Sequence, residues 1–331
     1  MKYGLIRFEY FLDKLEELFV KSSKLKNPAL WLYKNNARNP LFMLEGLAKM
    51  YAEIHNNKKI SKIKEYFKLL EDAIGEIDYY DTFAKEFATN KKMPAAIVSY
   101  LKAQSREKIK SLNEILIEKK WLSEDNNRLE KIRKKLSNAD WENEKKDTNS
   151  INQFYLTSIN KVLEFINKKN FTLSNIERDL HEFRRMIRWL SIYPQALRGC
   201  VQLSKSRGKN PYFTKYLTKK ITTSPYNVMP GANNQQLFLL LDQNRFYALS
   251  WLIAELGNLK DCGLKIEAIK EALIQNSAAD EQNALSKVYK LAGANQKTTE
   301  QILSEAENLI KNYCKEKNLE LLIIGIATVK E

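Results

Sequence analysis

A chain of 331 residues with 44% hydrophobic residues, only 10 Gly and 7 Pro, and a net charge of +15 has the composition of an ordered, mostly helical protein large enough for two modest domains. Its longest apolar run, 321–327, is far shorter than the roughly 20 residues that span a bilayer, and Arg7, Glu9, Asp13, Lys14 and Glu16 interrupt the first segment, so neither a membrane span nor a secretory signal is expected. Cys200, Cys262 and Cys314 are far apart with no C-x-x-C pair, the only histidines are His55 and His181, and neither a glycine-rich phosphate loop nor a G-x-S-x-G elbow occurs; disulfide scaffolds, zinc sites and the common enzyme motifs are thereby disfavoured, no cofactor is implied, and a reducing cytoplasm is the expectation.

Helical periodicity dominates in chain order. Phe8, Leu12, Leu15 and Phe19, then Leu41, Leu44, Leu47 and Tyr51, recur at three and four residues, the spacing of one helix face. The same reading predicts helices over 60–77, 82–87, 93–119, 124–136, 148–169 and 173–199, and then over 211–221, 235–256, 264–275, 280–291 and 298–317. A polar break over 137–150 divides the chain into an N-terminal helical unit, 1–140, a linker, 141–150, and a C-terminal unit, 151–331, while 222–236, rich in Ser, Pro and Asn, reads as a long loop. The stretch 319–328 fits either a strand or a last buried helix. Glu142-Asn-Glu-Lys-Lys146 has the letters of the Glu-x-Glu-x-Lys strand of triphosphate tunnel enzymes, but it lies in the polar break without strand-like neighbours and is read as chance.

Charge distribution carries the functional signal. No Asp or Glu occurs between Phe183 and Leu241, where ten cations fall: Arg184, Arg185, Arg188, Arg198, Lys205, Arg207, Lys209, Lys215, Lys219 and Lys220. Residues 151–250 hold 15 basic against 5 acidic side chains, so most of the net charge is concentrated in less than a third of the chain. Six of the twelve arginines fall within thirty residues; Lys would serve for solubility, whereas the planar Arg fork suits phosphate and carboxylate oxygens. On a helix His181, Arg184, Arg185 and Arg188 stand at i, i+3, i+4 and i+7, one face, while Phe183, Ile187 and Leu190 form a separate apolar stripe. Like charges so placed repel, and a bound polyanion would relieve them.

The pattern His181-x-x-Arg184-Arg185-x-x-Arg188 in a basic all-helical chain resembles the signature of the CHAD family, the conserved-histidine α-helical domain. The resemblance implies an all-α fold of two divergent four-helix-bundle repeats related by a pseudo-twofold, with a basic groove between them that binds inorganic polyphosphate and does no chemistry. An offset of 146 residues accords with duplication, matching Asn35 to His181, Arg38 to Arg184, Leu41 to Ile187, Leu44 to Leu190, Tyr66 to Tyr212, Phe67 to Phe213 and Tyr80 to Tyr226. The first copy has Asn35, Asn39 and Phe42 where the second has His181, Arg185 and Arg188. The implied anion site is therefore His181, Arg184, Arg185, Arg188, Arg198, Lys205, Arg207, Lys209, Lys219 and Lys220, joined by Arg38 and Lys34 from the first half. Where family members continue as Leu-Gly-x-x-Arg-Asp, the first half has Leu70-Glu-Asp-Ala-Ile-Gly-Glu-Ile-Asp-Tyr-Tyr-Asp81, without the Arg.

Other classes are open on the residues alone. The loop Ser204-Lys-Ser-Arg-Gly-Lys-Asn210 followed by Tyr212 and Phe213 offers cations and then aromatics, as single-strand nucleic-acid binders do, and an acidic membrane surface would meet the same patch. A helical protein-protein adaptor would use the 16 Tyr and 14 Phe as contact surface. Asp78 and Asp81 share a helix face and could pair as carboxylates, although partners for Lys explain them as well.

Overall fold

The computed structural model describes residues 2–123, 127–204, 211–232, 234–276, 281–293 and 296–328. The chain is mostly helical: α1 (Tyr3–Ser23), α2 (Pro28–Lys34), α3 (Arg38–Ile54), α4 (Lys58–Ala88), α5 (Ala95–Glu118), α6 (Arg128–Ser137), α7 (Glu144–Lys168), a π-helical turn (Ile176–His181), α8 (Glu182–Ala196), α9 (Lys219–Thr222), α10 (Gln243–Asn276), α11 (Glu281–Ala292) and α12 (Thr299–Lys315). Among the described residues, no helix is long and apolar enough to cross a membrane.

Local sequence sets most boundaries. Asn27 accepts from the Leu30 amide with Pro28 at the first helical position, Asn57 and Asn143 cap α4 and α7, and Thr298 with Gln301 closes a capping box on α12. The expected helices at 60–77 and 82–87 are one continuous α4, and 264–275 belongs to α10. The expected linker 141–150 is instead helical from Glu144, with Asp147 and Thr148 buried; its polar letters serve a buried hydrogen-bonded cluster rather than a solvated spacer. The Glu-x-Glu-x-Lys letters accordingly lie at a helix start, not on a strand.

The C-terminal half also contains a three-stranded sheet that the periodicity did not suggest. β1 (Val201–Leu203) runs parallel to β2 (Leu237–Leu241), which pairs antiparallel with β3 (Ile323–Thr328). The open choice at 319–328 is thus a strand preceded by a turn. Leu237–Leu241, read as the start of a helix, is extended: Leu239 donates to the Cys200 carbonyl at 2.8 Å, and Asp242 accepts from the Arg245 amide at 2.9 Å, so the helix begins only after it. Likewise 211–221 is not one helix but a 3₁₀ turn, Pro211–Phe213, followed by the single turn α9. The ungapped match at offset 146 therefore breaks down after α8, because Tyr66, Phe67 and Tyr80 lie on the long α4 whereas Phe213 and Tyr226 lie in short turns.

One hydrophobic core runs through both halves, and α3 lies at its centre. Pro40, Leu41, Met43, Leu44, Leu47, Ala48, Met50 and Tyr51 are all buried, more than one face can supply, because α1, α4, α7 and α8 surround the helix. Gly46 admits α8 closely, since a Cβ there would lie 3.2 Å from the Trp189 ring. A buried polar cluster also links the halves: Arg7 of α1 donates to Asp147 of α7 at 2.6 Å and to the Tyr51 hydroxyl, and Tyr51 donates to Asp147 at 3.0 Å. Gln235, just before β2, accepts from Arg7 at 3.3 Å.

Candidate anion-binding cavity between α3, α8 and α10

The approach to α8 is fixed by Asp179, whose carboxylate accepts from the Ser174 amide at 2.7 Å, the Ser174 hydroxyl at 2.9 Å and the Asn175 amide at 3.1 Å, and pairs with Lys169 at 2.7 Å. Burial opposes its charge, but the Lys169 and Ser174 hydrogen bonds outweigh that and hold the carboxyl down at about 2. The helix then presents its cations to different neighbours. Successive residues are about 100° apart, so Arg184 and Arg185 diverge even within an i+3/i+4 stripe. Arg184 turns to α10, donating from Nε to the Ile253 carbonyl at 3.2 Å. Arg185 pairs with Glu182 at 2.7 Å.

Arg188 points elsewhere. It lines a cavity of about 620 Å³ enclosed by the α2–α3 junction, α4, α8, α10 and the segment around α9. Four cations, Lys34, Arg38, Arg188 and Lys220, and a single acid, Asp78, line that space. The Arg188 guanidinium sits 4.3 Å from the centre of the Phe42 ring and has no hydrogen bond or ion pair with the described residues. Burial pushes its pKa down to about 10, and Arg184 and Arg38 add repulsion. Glu71, whose field reaches it, is already engaged by Arg38 Nε at 2.6 Å. Arg38 also reaches Asp78 at 3.4 Å and lies 5.2 Å from the same Phe42 ring. The facing wall is held in place by Gln195, which donates to the Tyr226 and Val228 carbonyls, both at 2.9 Å, and by Ser250, which donates to Asn227 at 2.7 Å.

A second cavity, about 670 Å³, lies between α4 and α10 and shares Arg38 and Asp78 with the first. Its other charges cancel: Lys260 pairs with Asp261 at 2.9 Å and Lys265 with Glu86 at 2.8 Å. Excess positive charge is thus confined to the first cavity.

Behind Arg38, Glu45 is 7% exposed and faces Glu71; burial, then Glu71, pushes its carboxyl up to about 7. A carboxyl that holds its proton more tightly folded than unfolded costs stability as pH rises from about 4.5 through 7. Glu45→Gln removes that cost. Urea denaturation is expected to show the variant stabilised by about 2 kcal/mol over wild type at pH 8, with the difference shrinking towards zero at pH 5.

Of the residues expected at the site, Lys34, Arg38, Arg188 and Lys220 converge on the cavity. Arg184 and Arg185 do not line it: Arg184, one turn before Arg188, is held against the Ile253 carbonyl and Gly257 of α10, and Arg185 is turned to Glu182. His181 lies near Glu177 at 3.6 Å with its Nδ1 buried and without a hydrogen-bond partner, and burial lowers its pKa, which disfavours the charged form. Arg198 packs 3.7 Å over the Tyr10 ring on α1, and Lys219 is exposed on α9 without lining the cavity. Lys205, Arg207 and Lys209, and with them the loop offered as a nucleic-acid contact, lie outside the described residues. Asp78 and Asp81 share the Tyr33 hydroxyl, at 3.4 and 2.7 Å, and Asp81 pairs with Lys85 at 2.6 Å, the structural role that competes with paired catalysis.

Two glycines were not singled out in the sequence. A Cβ at Gly75 would lie 2.8 Å from Arg38 Nη2, and one at Gly257 would lie 3.0 Å from Arg184 Nη2. Each arginine, one on α3 and one on α8, thus packs on a glycine of the long helix that follows. The available signal was Leu256-Gly257-Asn258-Leu259-Lys260-Asp261, which has Leu-Gly-x-x-cation-Asp spacing. No family model, curated protein or solved structure matches the chain.

Proposed function

We propose that this protein is a non-catalytic binder of a phosphate-bearing anion, seated in the cavity lined by Arg188, Arg38, Lys34 and Lys220. The observation that carries the reading is Arg188, a partly buried guanidinium beside a cavity, repelled by two other arginines and ion-paired to no carboxylate among the described residues. Leaving such a charge uncompensated is costly, and an anion with oxygens for its fork offsets that cost. Inorganic polyphosphate is the anion that the CHAD resemblance implies.

A duplicated architecture accords with this reading at the level of elements rather than of one ungapped offset. Buried positions 4, 8, 12, 15 and 19 of α1 recur as 151, 155, 159, 162 and 166 of α7. Arg38 on Gly75 and Arg184 on Gly257 support reading α3–α4 and α8–α10 as corresponding pairs, the second separated by the segment that carries β1 and β2. Phe42 and Arg188, equivalent under this scheme, meet each other.

Binding of tripolyphosphate and of single-stranded DNA, titrated against salt, tests the proposal. Wild type is expected to bind tripolyphosphate with an affinity that falls as salt rises. Arg188→Gln should lose about 10- to 100-fold and Lys220→Ala several-fold, with Arg185→Ala unchanged. Absence of binding by tripolyphosphate and by simpler phosphates alike, or an Arg188→Gln affinity equal to wild type, overturns the reading. DNA binding that exceeds tripolyphosphate at equal charge and ignores Arg188 would move nucleic acid to the front.

A further inference from the structure

Resting on the reading that the cavity takes a phosphate-type anion, the geometry points to its ligand class: a compact organic phosphate, a phosphate monoester carrying an aromatic or aliphatic body, rather than an extended phosphate chain. Three observations carry this. The unpaired positive charge is local, because the adjoining cavity has its lysines already paired with Asp261 and Glu86. A chain of phosphates needs a cation every few ångströms, and beyond Arg38 none is free in that direction among the described residues.

Part of the lining of the cationic cavity is apolar. Phe42, Met43, Ile74, Ile192, Ile221 and Ile253 line it, and none of these can hydrogen-bond a phosphate oxygen. Placing an inorganic polyanion against them would remove its hydration with nothing in return, whereas an organic body gains roughly 25 cal/mol for each Å² of apolar surface withdrawn from water. The volume, about 620 Å³, suits a small molecule. Neutral polar side chains also line the space: Gln195, Asn227 and Ser250 are already hydrogen-bonded within the wall, while Ser191, Ser224 and Tyr226 supply hydroxyls suited to ester or ring heteroatoms. Cationic and apolar side chains share the cavity, with the Phe42 ring 4.3 Å from the Arg188 guanidinium, so the site can meet a phosphate and an organic body side by side.

Calorimetric titration of the full chain with 1-naphthyl phosphate, inorganic phosphate and tripolyphosphate decides the matter. Expected is 1-naphthyl phosphate binding at least about tenfold tighter than inorganic phosphate, a preference reduced in Ile253→Asn, while Arg188→Gln weakens all anions. Tyr226, 58% exposed, supplies a variant outside the core: Tyr226→Ser should reduce the same preference, and it decides the question if Ile253→Asn does not fold. If tripolyphosphate binds in an Arg188-dependent way but 1-naphthyl phosphate binds no tighter than inorganic phosphate, the organic ligand class is overturned while the anion site stands. Should none of the three bind, both readings fall.

Discussion

Asp147→Ala is expected to lower the free energy of unfolding by about 3–5 kcal/mol, the cost of leaving a buried guanidinium without its carboxylate. Arg7 and Asp147 are each 2% exposed, Tyr51 is fully buried, and all three meet where α1, α3 and α7 converge. Removing the carboxylate strands the Arg7 charge with a phenol and the Gln235 amide oxygen as its remaining partners, and neither carries the compensating charge. Water cannot replace it without opening the junction of the two halves. The double variant Arg7→Met/Asp147→Leu, which removes both charges at similar volume, should recover most of that loss. Urea titration of the single and double variants checks both outcomes; equal losses in the two would show that packing, not charge, governs the junction. Cys200 shares this pocket, and its thiol is pushed up by burial, in keeping with a packing role.

Gly4→Val is expected to destabilise the chain by about 3 kcal/mol through overpacking at the same junction. A Cβ at position 4 would lie 2.3 and 2.4 Å from two atoms of the Trp141 ring and 3.1 Å from Tyr51. Trp141 has little freedom to retreat, because its indole nitrogen donates to the Leu136 carbonyl at 2.7 Å and its ring meets Tyr51 and His55 edge-on at 5.1 and 5.6 Å. The few tenths of a kcal/mol that Val gains over Gly in helix propensity do not offset this. Thermal denaturation, with near-ultraviolet dichroism reporting the Trp141 environment, measures the effect. A Gly4→Val protein with wild-type stability would mean that the segment bearing Trp141 repacks freely.

The helical character of the chain was legible because core helices carry apolar residues at three and four, and Phe8, Leu12, Leu15 and Phe19 are buried as that spacing requires. Of the sheet only β3 was legible, as one of the two readings of 319–328. Leu237–Leu241 has neither alternation nor β-branching, and its extended state follows from pairing with β1 and β3, the latter more than eighty residues distant in sequence. Residues 144–148 misled for the opposite reason: Glu144, Lys145 and Lys146 look solvated, while Asp147 is polar because Arg7 needs it. At the site, the local sequence brought Arg188 forward together with three neighbours it could not tell apart. What separates them is which of α3, α10 or solvent each faces, a property of tertiary packing that a single helix cannot encode. Arg38 and Lys34 were reached only through the comparison of halves, and Lys220 only through the charge run. Gly257 was readable as part of Leu-Gly-x-x-Lys-Asp, but it lies outside the 146-residue register in which a repeat was sought.

The far end of the chain has a part in when the cavity becomes complete. Glu316, just past α12, accepts from Tyr216 and pairs with Lys215, and Arg245 donates to Asn318 at 3.1 Å, so the segment leading into α9 is moored to residues synthesised about a hundred positions later. During translation α3, α8 and Arg188 leave the ribosome well before those moorings exist. A nascent chain thus holds Arg188 beside an unmoored wall until the last helix emerges, and the cavity is completed only late in synthesis.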